Sequence, residues 1–373
     1  MSGILLNLLA ATAGGQVTRA EAFLSRFRRF YPDVRLLVLK DTDSLKFCEN
    51  RSDWEVKNVS FEQGRLRAFS RMVWENIYLA KLMRREELDV YLTFSHYLPV
   101  FIGSRVRSIV GVSNLAPFSD EAWGIEDSAT RLKMWLLQRS IVSSARRADR
   151  VIALSNTCGR VLIEHGVNES NITVIPNGVE VSAQEDSKEL PSNLPFTGAY
   201  ILSVSHFHRY KNYIRLIEAY ELLPDYLKQK YSLVIVGKVY DIKYFNEVEN
   251  LILRYGLKSR IHIIPGVDRF ALGPLYRNAT LFIFPSLIEN SPNILLEAMA
   301  FGLPVLASDI DPMPEFGGEA IEYFNGLSSD DLAARMTNML LDESQVMDLG
   351  ARAKARSQNY SWDAFTANVI NLS

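Results

Sequence analysis

The residues best suited to chemistry in this chain are two carboxylates, Glu289 and Glu297, separated by seven residues that include Ser291 and Pro292. Serine and proline suit the cap and first position of a helix continuing through Glu297. The free amides of such a helix start, around Pro292 to Ile294, can cradle a phosphate, and carboxylates accept hydrogen bonds from sugar hydroxyls. Two solvated helix acids are the plainer alternative, but Glu297 lies inside the apolar stretch ILLEAMA, where an unpaired charge is costly. A second group stands in SVSHFHRYKN, where His206, His208, Arg209 and Lys211 follow an apolar run and open a helical segment. Cations at such a point can meet a diphosphate. A zinc pair formed by the two histidines would lack a third ligand at suitable spacing. In ATAGGQVTRAEAF, Gly14 and Gly15 let main-chain amides approach an anionic or hydroxyl-rich ligand, although a tight turn alone also explains them.

Other chemistries fit poorly. The first loop is not GxGxxG and the second strand ends on Lys40 without an acid for a ribose, which disfavours a dehydrogenase. There is no Ser-His-Asp order and no activated cysteine. DxD-like strings stand at Asp41 to Asp43 and Asp309 to Asp311, and in the second, within ASDIDPMPEF, turn chemistry explains both aspartates; since Lys211, Arg209 and helix-terminal amides can stabilise a diphosphate, no metal and no cofactor are expected. Cys48 and Cys158 lie far apart and form no CxxC, which fits neither a zinc site nor a disulfide scaffold and suggests a reducing, cytoplasmic setting. A net charge of -2 removes the basic footprint of a nucleic-acid binder. The apolar start is read as a buried strand rather than a signal peptide, and no run reaches the ~18 residues of a spanning helix.

These groups need a scaffold that holds loops at the ends of strands. A chain of 373 residues is comfortable as two domains, and short apolar runs alternate with helix-period segments throughout. That pattern predicts α/β domains with parallel sheets. Strands are expected over 4–9, 34–40, 89–94, 107–112, 151–154 and 172–175, and again over 200–205, 232–237, 261–266, 281–286, 304–308 and 320–324. Residues 1–180 form the expected N-terminal domain, 181–198 a polar linker, 199–360 the C-terminal domain, and 361–373 a last helix packing back on the first. Two doubly wound, Rossmann-like sheets facing across a cleft would bind ligands at the carboxyl ends of their strands.

With these segments in order, the chain resembles the retaining GT-B glycosyltransferases that carry a Glu, seven residues and a second Glu, the family 4 or group 1 type. ADRVIALS, VIPNGV, GLPVLASD, MPEF and SWDAF resemble further segments of that family. The resemblance implies that Lys211 contacts the diphosphate of a nucleotide-sugar donor, that Glu297 holds the ribose and that Glu289 orients the transferred sugar. Asn290, Ser291, Pro292, Asn293 and Ile294 would bind sugar hydroxyls and phosphate, and Gly15, beside Gly14, would face the diphosphate. The loop at Pro265 and Gly266 would lie against the base. The family's usual arginine is replaced by His206, so Arg209 is the alternative second cation. On the acceptor side, Ser113 and Asn114 stand where the family often has a histidine, and His96 is another polar candidate.

Charge is uneven along the chain: 24 basic against 20 acidic residues through Glu180, and 17 against 23 beyond it. Residues 57–85 carry seven basic and two acidic residues together with a helical stripe of Leu66, Phe69, Val73, Ile77 and Ala80. The stripe is read first as core-facing with a solvated basic face, and second as an amphipathic helix on an anionic membrane surface. The function expected is transfer of a hexosyl group from GDP-mannose or a UDP-hexose to a glycan or lipid-linked acceptor in bacterial surface polysaccharide synthesis. A GT-B phosphorylase or epimerase, and a non-catalytic sugar-nucleotide-binding or partner subunit, are the alternatives.

Overall fold

The computed structural model describes residues 3–372 apart from 12, 13, 43, 49–52, 62, 63, 65, 104, 126, 127, 182–189, 191–193, 267 and 268. Seven strands form the first sheet: β1 (Ile4–Asn7), β2 (Leu36–Asp41), β3 (Glu55–Val59), β4 (Val90–Thr93), β5 (Arg107–Val112), β6 (Arg150–Ala153) and β7 (Ile172–Val174). Six form the second: β8 (Tyr200–Val204), β9 (Ser232–Val236), β10 (Ile261–Ile264), β11 (Leu281–Phe284), β12 (Val305–Ser308) and β13 (Glu322–Phe324). Every pairing is parallel. The orders are β3-β2-β1-β4-β5-β6-β7 and β10-β9-β8-β11-β12-β13, so in each sheet the order of strand addition reverses beside its first strand. In the first sheet Ile4 pairs with Leu36 on one side and Val90 on the other, and in the second β8 lies between β9 and β11. Central strands such as ILLN and LFIF are buried along their whole length, which is why they read as continuous apolar runs.

The strands lie where the alternation predicts them, with ends shifted by no more than two residues. β3 is the exception. Its residues EVKNV are exposed or half-buried on the sheet edge, so it has no apolar run to mark it. Helix starts follow capping chemistry: Ser155 accepts from the Cys158 amide, Asp241 from those of Lys243 and Tyr244, and Ser328 from that of Asp331.

Two compact units result. One comprises Met1–Phe118, Ser128–Gly178 and Trp362–Ser373, and the other Ser119–Asp127 and Val179–Ser361. Residues 119–127, which the sequence reading includes in the N-terminal domain, therefore group with the second unit, where the short helix Asp120–Ile125 lies beside the turn Arg209–Lys211. Most of the expected linker lies outside the described residues. In the first unit, helix Trp362–Ile370 packs on helix Gly15–Phe30. Trp362, Phe365, Val369 and Ile370 are buried there, Phe365 sits 5.8 Å from the Phe94 ring, and Asp363 pairs with Arg26 and Arg29 at 2.8 and 2.9 Å.

Helix Arg67–Arg85 corrects an expectation. It buries Glu75, Leu79, Leu82 and Met83, whereas Leu66, Phe69, Val73 and Ile77 are 72%, 66%, 41% and 49% exposed. The stripe expected to face the core faces solvent.

Candidate active site

The second unit gathers its polar side chains where the sheet order reverses, between β8 and β11, the position at which open α/β sheets receive ligands. β8 delivers the loop that ends in the turn Arg209–Lys211, and β11 the loop leading to helix Asn293–Ala300. The two loops are tied by the Leu287 amide donating to the Tyr210 carbonyl at 2.8 Å. Across this join the Lys211 ammonium donates to Glu289 Oε1 at 2.5 Å. Both side chains are largely buried, and Lys211 also lies over the rings of Tyr210 and Phe284, at 5.1 and 5.7 Å. Burial alone would drive this ammonium towards neutrality, but Glu289 and Tyr210 outweigh it and hold the pKa above the usual lysine value. Lys211 is therefore charged at neutral pH.

The next residue is itself held in place. Asn212 adopts a left-handed backbone, φ 62°, and its buried amide donates to the Gly326 carbonyl at 2.9 Å. Gly326 in turn donates to Asp309 at 3.1 Å. Asp309 thus serves the turn that holds Asn212.

Arg209 and His206 differ from the role expected for a second cation. Arg209 directs both arms of its guanidinium to Glu247 and lies over the Tyr244 ring, 5.5 Å away. Its charge is already matched. His206 packs edge-on to Tyr240, and its Nδ1 is buried without a hydrogen-bond partner among the described residues. Burial, reinforced by Lys211, His208 and Lys238, pushes its pKa down to about 4. The ring is neutral at neutral pH. His208 stacks between Tyr210 and Tyr240, its pKa also lowered by burial.

The helix after β11 begins one residue later than the sequence suggests. Pro292 is its cap, with ψ 78°, and Asn293 is its first residue, rather than Ser291 capping and Pro292 opening it. The Asn293 amide is turned to the Ser291 carbonyl at 2.9 Å, so it is not one of the free amides expected there. Asn290 is buried, Ser291 and Ile294 are half-buried, and Glu297 receives the Tyr276 hydroxyl at 3.4 Å. Gly266, after β10, has φ 76°, and a Cβ there would come 3.2 Å from Lys238 Cγ.

In the first unit Gly14 caps helix Gly15–Phe30 with φ 66°, a conformation that favours glycine, and nothing lies within 4 Å of where a Cβ would stand. Asn114 accepts from the Ala116 amide at 2.9 Å in a local turn. His96 is half-buried, and burial together with Arg71 pushes its pKa down to about 4.

Residues 13–183 match the model for Glycosyltransferase Family 4, and residues 185–356 that for Glycosyl transferases group 1. The chain belongs to the GT-B glycosyltransferases. Curated relatives include the serotype-specific mannosyltransferase WbdA of Escherichia coli, 31% identical over 240 residues that cover 61% of this chain and 28% of that protein. The O-antigen chain mannosyltransferase B of Escherichia coli is 29% identical over 173 residues, 46% of this chain and 45% of that protein. The chain thus spans less than half the length of these relatives. Among solved structures, Anabaena HepE in complex with UDP and glucose superposes with a TM-score of 0.76 at 19% identity, covering 100% of this chain and 99% of that one. WaaG, a glycosyltransferase involved in lipopolysaccharide biosynthesis, gives 0.74 at 16%, with 98% of each chain covered.

Some positioning residues of the chain escape sequence reasoning. Arg19 is buried, donates to Asn177 and Ser113 at 2.8 Å each, and joins helix Gly15–Phe30 to the ends of β5 and β7. Asn7, at the end of β1, donates to Glu75 at 2.8 Å and to the Tyr91 hydroxyl at 3.0 Å. Gly237 permits the close passage of two loops, since a Cβ there would stand 1.7 Å from the Ser205 carbonyl oxygen. Only Gly237 leaves a trace in the sequence, as a glycine closing an apolar strand.

Proposed function

We propose that the chain transfers a hexosyl group, with retention and without a metal, from a nucleotide-diphospho-sugar to a glycan or lipid-linked acceptor in surface polysaccharide synthesis. The observation that carries this reading is the Lys211–Glu289 pair at the switch point of the second sheet, ahead of helix Asn293–Ala300. Lys211 shifts from Glu289 to the donor diphosphate, which releases Glu289 to hold sugar hydroxyls. The amides of the helix's first turn add positive potential on the same group. Glu297 and Tyr276 hold the ribose, Asn290 and Ser291 the sugar and phosphate, and Gly266 borders the base. The acceptor hydroxyl forms the new bond to the anomeric carbon as the bond to the diphosphate breaks, and its proton goes to a diphosphate oxygen. Lys211 and the helix amides stabilise the leaving charge. His206, being neutral, acts as a hydrogen-bonding group rather than as a replacement arginine.

GDP-mannose is the donor we favour, since the named relatives are mannosyltransferases; UDP-hexoses are the competitors. Calorimetry against GDP, UDP and ADP with their sugars, in EDTA, tests the donor and the metal together. We expect one nucleotide to bind with no metal present, and Lys211→Ala to weaken it about a hundredfold, as loss of a charge-assisted contact does. Binding that appears only with added metal, or survives Lys211→Ala unchanged, would overturn the reading. No described helix is long and apolar enough to cross a membrane. The exposed stripe of helix Arg67–Arg85 supports peripheral contact with an anionic membrane, where a lipid-linked acceptor would reside.

A further inference from the structure

A pocket at the amino ends of β5 and β6, away from the loops that follow the strands, is lined by Arg105, Arg107, Arg146, Arg147 and Arg150. Asp149 is the single carboxylate among its lining residues. That carboxylate is already engaged, accepting from the Ser108 amide and hydroxyl at 2.8 and 2.7 Å. None of the five arginines pairs with a carboxylate among the described residues. Five guanidinium groups gathered around a single carboxylate leave an excess of like charge that repels, and an anion held between them removes that cost. Guanidinium groups suit phosphate, which they can grip through two parallel hydrogen bonds.

The surroundings indicate where the phosphate comes from. Arg147 donates to the Leu98 and Pro99 carbonyls at 2.7 and 2.8 Å, which fixes the pocket wall to the loop that carries Val100 and Phe101. Those two apolar side chains are 79% and 57% exposed. The Val100 amide donates to Asn76 at 2.8 Å, so the loop is joined in turn to helix Arg67–Arg85 and its solvent-facing stripe. Arginine pocket, apolar loop and helix Arg67–Arg85 are therefore joined by hydrogen bonds within the first unit. A soluble anion would use the arginines and leave the apolar part idle, whereas a charged bilayer uses both.

We propose that the pocket binds the phosphate of an anionic lipid headgroup while Val100 and Phe101 enter the bilayer beside it. The source of the phosphate rests on the peripheral reading given above; the pocket itself does not. The test compares the full chain with the variant Arg105→Ala/Arg107→Ala/Arg150→Ala in sedimentation with vesicles of phosphatidylcholine, with and without phosphatidylglycerol. A second measurement is calorimetry with dihexanoyl phosphatidylglycerol as a monomer, and with inorganic pyrophosphate. Thermal melts and nucleotide binding should be equal in the two proteins, because the three side chains are outside the donor site. We expect binding to charged vesicles only, falling on the order of a hundredfold in the variant, with loss of the short-chain lipid as well. Equal partitioning of variant and parent would overturn the pocket. Arginine-dependent binding of the short-chain lipid without vesicle binding would uphold the pocket and overturn the peripheral reading. Arginine-dependent binding of pyrophosphate alone would overturn the lipid assignment.

Discussion

Burial and partners set the charge of each cation in the loop after β8. Lys211 stays charged because Glu289 touches it, Arg209 is neutralised by Glu247, and His206 loses its proton to burial. His96 in the first unit is held down in the same way, burial pushing both rings from 6.5 down to about 4. Between those values these two rings bind more protons in the unfolded chain than in the folded one, so their contribution to stability falls as pH is lowered from 6.5 towards 4 and changes no further below. Urea unfolding at pH 7 and at pH 4.5 should show this loss, and His206→Asn should make the two curves more alike. Donor binding should be flat through neutrality, since Lys211 does not titrate there. The residue types at 206, 209 and 211 are legible in the sequence, but their division of labour is not. It depends on Glu247 and Tyr240, which no local spacing connects to the loop.

At the scale of elements, the strands are legible because parallel strands buried on both faces must be apolar from end to end. β3 and the start of helix Asn293–Ala300 are not, for opposite reasons. An edge strand has no required pattern, and a Ser-Pro pair is compatible with two neighbouring capping registers. Helix Arg67–Arg85 shows a further gap: periodicity reveals a stripe but not which side of the helix the protein covers. Here the covered side carries Glu75, whose carboxylate is raised in pKa by burial and partly relieved by Arg71 and Asn7. Loop crossings are as demanding as strands. The approach of Gly237 to the Ser205 carbonyl leaves no room for a methyl group, so Gly237→Ala must push apart the loops after β8 and β9. We expect a loss of at least about 2 kcal/mol in thermal or urea unfolding, together with weaker nucleotide binding, because the displaced loop carries His206 and Lys211. A variant as stable and as active as the parent would show that the loops adjust freely.

At the scale of the whole molecule, the first unit is completed by the last helix of the chain. Phe365 is buried against Phe94 and Trp362, so Phe365→Ala should cost about 4 kcal/mol and lower the melting temperature of the first unit. The route of the chain has a consequence for dissecting the gene. It leaves the first unit at Gly178 and returns at Trp362, so no single open reading frame cut at one point encodes that unit whole. A fragment ending at 178 lacks the cover over Phe23, Phe27 and Phe94 and would emerge from the ribosome with that face bare. Supplying 361–373 as a separate peptide, or fusing it after 178, is the genetic equivalent of closing the fold.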